Sequence, residues 1–467
     1  APVRENFPDT HKWEVISMPA TATSPAPARG NPVVSPQLAL TQTSLPRLAQ
    51  HMYALMLRNV ATDGFAFEDP ANPGTFSVPG CVIAAPSFPA NTPGVDQDYV
   101  FNWTRDAAIT AIEIASASYP GATVQALNDY VTFAQLSQQN AIKAGLPIRA
   151  ASTINGQPRQ GWTDQSDGPA LQNIAILKAF PLLDSDVQSI ARSVINTNMD
   201  ILMNVYQDET FNLWEEHKGF SFFARSVQLL CFQVIKVNTI GIPVPAGTDN
   251  AIAQLTSALQ SHWDGAKYVS IMPAPQGYDP NIDIISASLY GAVVVTDPQL
   301  LATAALLRSQ WADDNSPYQY PINVSDRARQ MGPLLGRYPG DTYDGDMADQ
   351  IAGDHPWALC TCNLAELYYR VASAISATGT VPADELSRPF FAQIGVSPSA
   401  TVQDAINALH AAGDSMLNAV IFHSDHLELS EQFDGVTGYE KSVRNLTWSY
   451  AAFISAVRAK ANTTVNG

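Results

Sequence analysis

"GFSFFARSVQLLCFQVIK", residues 219–236, repeats apolar side chains at steps of three and four: Phe220, Phe223, Val227, Leu230 and Val234. That spacing lines one side of an α-helix; a strand would alternate faces at every residue. The period returns at Leu364, Leu367 (or Tyr368) and Val371, and at Leu446, Tyr450, Phe453 and Val457. Helices are predicted over 38–58, 104–118, 121–143, 168–181, 185–206, 219–236, 249–262, 298–311, 356–376, 402–422 and 446–461, with one more within 283–295. Asp167-Gly168-Pro169 and Asp354-His355-Pro356 each set an Asp just before a Pro near a predicted helix start. Strand-like alternation is scarce. Such a chain can form a bundle, a superhelix or a closed toroid of helical hairpins. No fixed repeat of about 34 or 40 residues supports a solenoid. In a toroid, alternate loops share one face, where a pocket can form.

With 467 residues, 46% hydrophobic and 15% charged, the chain can bury a large core. It has no long Gly/Ser linker, so one large domain over 1–467 is expected. Residues 1–36 are expected to form an extended arm, because "MPATATSPAPARGNPVVSP" (18–36) is too rich in proline for a helix. The net charge of −18, from 43 acids and 25 bases, argues against nucleic acid and against an anionic membrane surface. A neutral ligand is compatible, and no run approaches the roughly 18 apolar residues of a membrane span. The opening "APVRENFPDT" fits a mature chain after signal removal, so a secreted or periplasmic location is expected. Cys81, Cys231, Cys360 and Cys362 match no zinc pattern and read as free packing residues.

Five loop segments mix charge with aromatic rings. In "DYVFNWTRDAA" (98–108), Tyr99 and Trp103 precede Arg105 and Asp106. A charged donor and acceptor beside aromatic faces suit a sugar, whose hydroxyls bond and whose ring stacks; a salt bridge at a helix start is the plainer reading. In "GWTDQSDGPAL" (161–171), Trp162 precedes a helix-start signal, and a packed tryptophan beside a cap would look the same. In "NLWEEHKGFSFF" (212–223), Trp214, Glu215 and Glu216 precede a helix expected from about Gly219. A carboxyl pressed against Trp214 and the phenylalanines is desolvated, which raises its pKa and suits it to donate a proton. A solvated acidic pair near a helix N-terminus is the alternative. "GRYPGDTYDGD" (336–346) runs on to "DHPWALC" (354–360), with Arg337, Tyr338, Asp341 and Trp357. Its aspartates do not follow the EF-hand order, so no metal is assigned. In "LSEQFDGVTG" (429–438), Glu431 is uninformative alone; His423, Asp425 and His426 nearby read as a solvated loop or helix end. No G-x-S-x-G, Walker or H-E-x-x-H motif is present.

Taken in order, "WTRD", "DGPAL", "LWEE…SFF", "GRYP.D.Y…PW.LC" and "EQFD..TG…LTWSYAA" resemble the glucoamylase family, glycoside hydrolase family 15, across residues 98–457. The resemblance implies an all-α (α/α)6 barrel and an exo-acting, inverting glucosidase that releases β-D-glucose from the non-reducing ends of α-1,4-glucans. It implies Glu215 as general acid and Glu431 as general base, about 6.5–9.5 Å apart. Arg105 and Asp106 would hold the terminal glucose, and Glu216 and Arg337 would contact sugar. Tyr99, Trp103, Trp214 and Trp357 would line the site. Trp162 matches a family tryptophan with spacing one residue shorter. The partners implied are a small oligosaccharide or a glucan, with no cofactor, no metal, no nucleic acid and no membrane, and the chain is expected to act as a monomer. Gly340 stands where the family often has Glu, and the loop from Asp344 to Asp354 looks longer than in fungal members. Both changes lie near the outer sugar subsites, which leaves α-1,6-linked and trehalose-type substrates open. A glucan-binding toroid without turnover is the rival from another class; a polysaccharide lyase would want more cations.

Overall fold

In a computed structural model, the described residues are 44–70, 72–86, 99–117, 123–162, 164–346 and 353–464. The predicted arm (1–36) lies outside them. The helices are α1 Ser44–Leu57, α2 Thr104–Ser116, α3 Thr123–Lys143, α4 Asp167–Ala179, α5 Ser185–Val205, α6 Phe222–Lys236 and α7 Thr248–Gln260. They continue as α8 Asp283–Tyr290, α9 Pro298–Ala312, α10 Pro321–Ala328, α11 Ala358–Thr378, α12 Arg388–Ala392, α13 Val402–His423 and α14 Thr447–Thr464. Helix α2 packs on α4, α4 on α6, α6 on α8, α8 on α11, α11 on α14, and α14 on α2, which closes a ring. Around it, α1 lies against α14, α3 against α2, α5 against α4, α7 against α6, α9 against α8 and α13 against α11. This is an (α/α)6 barrel.

Inner and outer helices differ for a physical reason. An inner helix touches protein on every side and must be apolar or small all round, whereas an outer one needs a single apolar stripe. Every residue of α8, "DIISASLY", is buried. Helix α5 buries Val187, Ala191, Val194 and Ile195, at helical spacing, and leaves its other side wet. Inner–outer packing is close: a Cβ at Gly413 of α13 would lie 2.6 Å from the Tyr369 ring of α11.

The predicted stripe on α6 is partly corrected. Phe223 and Val227 are buried, but Phe220, Leu230 and Val234 are only half-buried, while Phe222, Cys231, Phe232 and Ile235 fill the core. Hydrophobic on several sides, the helix offered more than one stripe, and its neighbours chose. The stripes on α11 and α14 are buried as expected.

The helix expected from Gly219 starts instead at Phe222, where the Ser221 hydroxyl accepts from the Ala224 amide. Before it, Lys218–Ser221 (β4) pairs antiparallel with Thr210–Phe211 (β3) and Ile271–Met272 (β5). A Cβ on Gly219 would sit 2.6 Å from the Met272 carbonyl oxygen, so the close strand approach needs glycine. Asn102–Trp103 (β1) pairs with Ala151–Ser152 (β2), and Gln432–Phe433 (β6) with Glu440–Lys441 (β7). Helices α10 and α12, of eight and five residues, were not predicted, and the helix sought in 283–295 ends at Tyr290. The four cysteines are buried and free. No helix among the described residues is long and apolar enough to cross a membrane.

Candidate active site

The loops that carry the singled-out residues run into the N-termini of inner helices, at one end of the barrel. Trp103 leads directly into α2, Asp167 opens α4, the Glu215–Glu216 turn precedes α6, and Trp357 precedes α11. Each N-terminus contributes a partial positive charge.

Glu215 and Glu216 sit in the tight turn between β3 and β4. Glu215 adopts φ +66, a left-handed conformation costly for a side chain with a Cβ. Asn212 holds the turn: its carbonyl accepts from the Glu215 amide at 3.0 Å, and its side-chain oxygen accepts from the amides of Glu216 and His217 at 3.0 and 3.1 Å. The turn sends the two acids to different partners. Glu215 Oε1 accepts from Trp103 Nε1 at 2.9 Å and from Arg105 Nη2 at 3.1 Å. Burial raises the Glu215 pKa, and Arg105 opposes that rise. Glu216 Oε1 accepts from Arg337 Nη2 at 2.7 Å, and its Oε2 from Tyr278 OH at 2.7 Å; Tyr338 OH lies 3.1 Å from both oxygens.

Arg105 is buried among Gln165 Oε1 (3.0 Å), Asp167 Oδ2 (3.4 Å) and Glu215. Its Nε faces Asp106 Oδ2 at 3.5 Å, and neither atom has a hydrogen-bond partner among the described residues. Burial pushes Asp106 up to about 6 against the pull of Arg105. Arg337 is clamped by Asp341, with Nε on Oδ2 and Nη2 on Oδ1, both at 2.7 Å. Its guanidinium carbon lies 5.0 Å from the Trp357 ring centre and 5.3 Å from that of Trp214.

Glu431 is 4% exposed. Tyr99 OH donates to its Oε1 at 3.2 Å, Tyr343 OH to its Oε2 at 3.2 Å and Ser442 Oγ to the same Oε2 at 2.5 Å. Burial pushes the Glu431 pKa up to about 7, while Ser442, Arg337, Tyr99 and Tyr343 each favour the anion. Two aromatic residues join the carboxyls: Trp103 bonds Glu215, Tyr99 bonds Glu431, and their ring centres are 5.8 Å apart.

The structure thus gathers Tyr99, Trp103, Arg105, Asp106, Glu215, Glu216, Arg337, Trp357 and Glu431 into one constellation. Trp162 joins its edge, 5.6 Å from Trp103 in a T-shaped contact. Trp214 is as buried as Trp103 and Trp357; its Nε1 donates to Asn281 Oδ1 at 2.9 Å, its ring stacks on Trp448, and its ring centre lies 5.6 Å from that of Trp357. Sequence reading missed Gln165, Asp167, Tyr278, Tyr343 and Ser442 as site residues. Tyr343 and Asp167 lie inside quoted motifs and could have been found; Tyr278 and Ser442 carry no local signal.

The described aspartates of 341–354 have protein partners: Asp341 holds Arg337, Asp344 and Asp346 meet Lys441, Asp344 also meets His355, and Asp354 accepts from Tyr320. Residues 347–352 of that loop lie outside the described residues. Among those described, no group of three His, Cys, Asp or Glu is arranged to hold a metal ion. His423, read as a solvated helix end, is buried instead and bonds Asp326 Oδ2 at 2.8 Å, whereas His426 is exposed.

The Probable glucoamylase of Schizosaccharomyces pombe is 27% identical over 428 residues, covering 86% of this chain and 88% of that protein. A relative from Saccharomyces cerevisiae, named an intracellular, sporulation-specific glucoamylase, is 26% identical over 448 residues (82% and 79%), so kinship alone does not put this chain outside the cell. The Saccharomycopsis fibuligera glucoamylase structure shares the fold, with a TM-score of 0.74 at 21% identity over 91% of this chain and 96% of that one. The model of glycosyl hydrolases family 15 matches residues 51–458. With the barrel and its paired carboxyls in place, that match across most of the chain makes it a member of glycosyl hydrolases family 15, a glycoside hydrolase.

Proposed function

We propose that this chain removes single glucose units from the non-reducing ends of α-1,4-glucans and releases each as β-D-glucose. The observation that carries this reading is the pair of carboxyls, half-buried Glu215 and buried Glu431, joined through Trp103 and Tyr99. Glu215 donates a proton to the glycosidic oxygen as the bond to C1 breaks. Glu431, ionised, takes a proton from a water that attacks C1 from the opposite face, which inverts the anomer. Arg105 Nε and Asp106 Oδ2 are buried, ion-paired at 3.5 Å and without a hydrogen bond among the described residues, and are suited to the hydroxyls of the terminal glucose. Their buried cluster with Asp167 would close the pocket's inner end and make the attack exo. Both carboxyls come from one chain, which supports a working monomer.

Proton NMR of the first product from maltotetraose tests the reading. β-Glucose is expected first; α-glucose first, or a maltooligosaccharide in place of glucose, would overturn it. Parallel initial rates on maltose, isomaltose and trehalose report the linkage. Gly340, at φ +75, makes that comparison pointed, since a side chain at this position would be strained.

Two further outcomes are expected. Ser442 contributes the shortest hydrogen bond to Glu431 from a residue at φ +63. Ser442→Gly keeps that backbone conformation and removes the hydroxyl. Loss of a donor that favours the anion raises the Glu431 pKa, so the acid limb of kcat/KM should move up by about one pH unit. The alkaline limb, set by Glu215, should stay in place. An acid limb that does not move would disconnect Ser442 from the base. Glu216→Gln weakens the charged contacts with Arg337 and Tyr278, and KM for maltose should rise about tenfold, with kcat changing less. Steady-state kinetics reads this directly.

A further inference from the structure

Arg149 is 2% exposed and carries its guanidinium into the interior beside α3 and α4. It donates to Ser137 Oγ at 2.8 Å, and its Nε–H meets no acceptor among the described residues. Among the described residues no carboxylate pairs with it; Tyr130 is the titratable group in electrostatic reach. Tyr130 and Ser137 stand two turns apart on one face of α3. The Tyr130 hydroxyl is also buried without a partner. Gln172 lies beside it and favours its phenolate form, so it meets the Tyr130 oxygen as a donor and not as an acceptor of the O–H. Burial lowers the Arg149 pKa only to about 10, so the group stays charged at any ordinary working pH. An uncompensated buried cation is costly, and two donors in one interior region lack an acceptor.

We propose that Arg149 and Tyr130 hold a small monovalent anion of the halide class, chloride being the probe, behind the wall that presents Trp103 and Arg105. The few free donors suit a monatomic ion; phosphate would need more donors. A water could accept the same two bonds but would leave the charge unbalanced. The location gives the anion a role. The Arg149 carbonyl accepts from Thr104 Oγ1 at 3.4 Å, the Ala150 carbonyl accepts from the Thr104 amide at 2.9 Å, and Ala151 pairs with Trp103. An anchored Arg149 therefore steadies the strand that aims Trp103 and Arg105 at the pocket.

The test is thermal unfolding of the full chain, dialysed free of halide and titrated with sodium chloride, beside sodium gluconate at equal ionic strength. Chloride should raise Tm by about 2–4 °C along a saturating curve, and gluconate should not. Arg149→Met should lose the chloride response. If that variant does not fold, Tyr130→Phe removes one donor only and should move the chloride midpoint about tenfold higher. Crystals grown in sodium bromide should show an anomalous peak within hydrogen-bonding distance of Arg149 Nε. Superimposable chloride and gluconate curves, or a water at Arg149 in bromide crystals, would overturn the proposal.

Discussion

Glu215→Gln is expected to lower kcat on maltotetraose by about 10²–10⁴-fold while leaving α-glucosyl fluoride a far better substrate than maltotetraose. The amide keeps the shape of the acid, and its oxygen can still accept from Trp103 Nε1 and Arg105 Nη2. Arg105 keeps Asp106 and Asp167 as charge partners, so the fold should survive with little change in Tm. What is lost is the proton. A sugar alkoxide is a poor leaving group without one, whereas fluoride departs as the anion and needs much less help. The contrast between the substrates therefore measures proton donation and not binding. Equal losses on both, or near-normal turnover of maltotetraose, would remove Glu215 from the acid role.

Glu431→Gln should show the opposite signature: a loss of about 10²–10⁴-fold on both substrates, because water must be activated whichever group departs. Tyr99, Tyr343 and Ser442 surround this carboxyl and can turn their hydroxyls to suit an amide, so folding should again be retained. Circular dichroism and calorimetry check that point, and rates on the paired substrates check the role. A variant that hydrolyses the fluoride at the wild-type rate would show that another group activates the water.

The pair of variants also separates this reading from a glucan-binding toroid without turnover. Such a protein would have no rate to lose, and binding of maltotetraose would be its whole activity.

Much of this molecule could be read from local sequence. Helices α2, α3, α5 and α9 lie within about two residues of their predicted limits, because 3.6-residue periodicity and residue propensity act over a single turn. Segments holding Arg105, Glu215 and Arg337 stood out because charge beside aromatic rings is unusual wherever it occurs, whereas Glu431 stood out only through the family pattern. The start of α6 could not be read this way. Lys218–Ser221 looks helical alone and becomes a strand because Met272 approaches the Gly219 backbone from far along the chain. The partners of Trp214, which bonds Asn281, and of His423, buried on Asp326, likewise lie far along the chain.

The chain by itself determined which segments are helical, which loops carry charge among aromatic rings, and the family pattern those loops resemble, since all of these are written in neighbouring residues. Only the tertiary structure decided that Glu215 and Glu431 share one site, that Tyr343 and Ser442 surround the second, and that Arg149 is buried with no carboxylate partner among the described residues. These are relations between residues remote in sequence, and they exist only once six inner helices close into a ring and bring their N-terminal loops to one end.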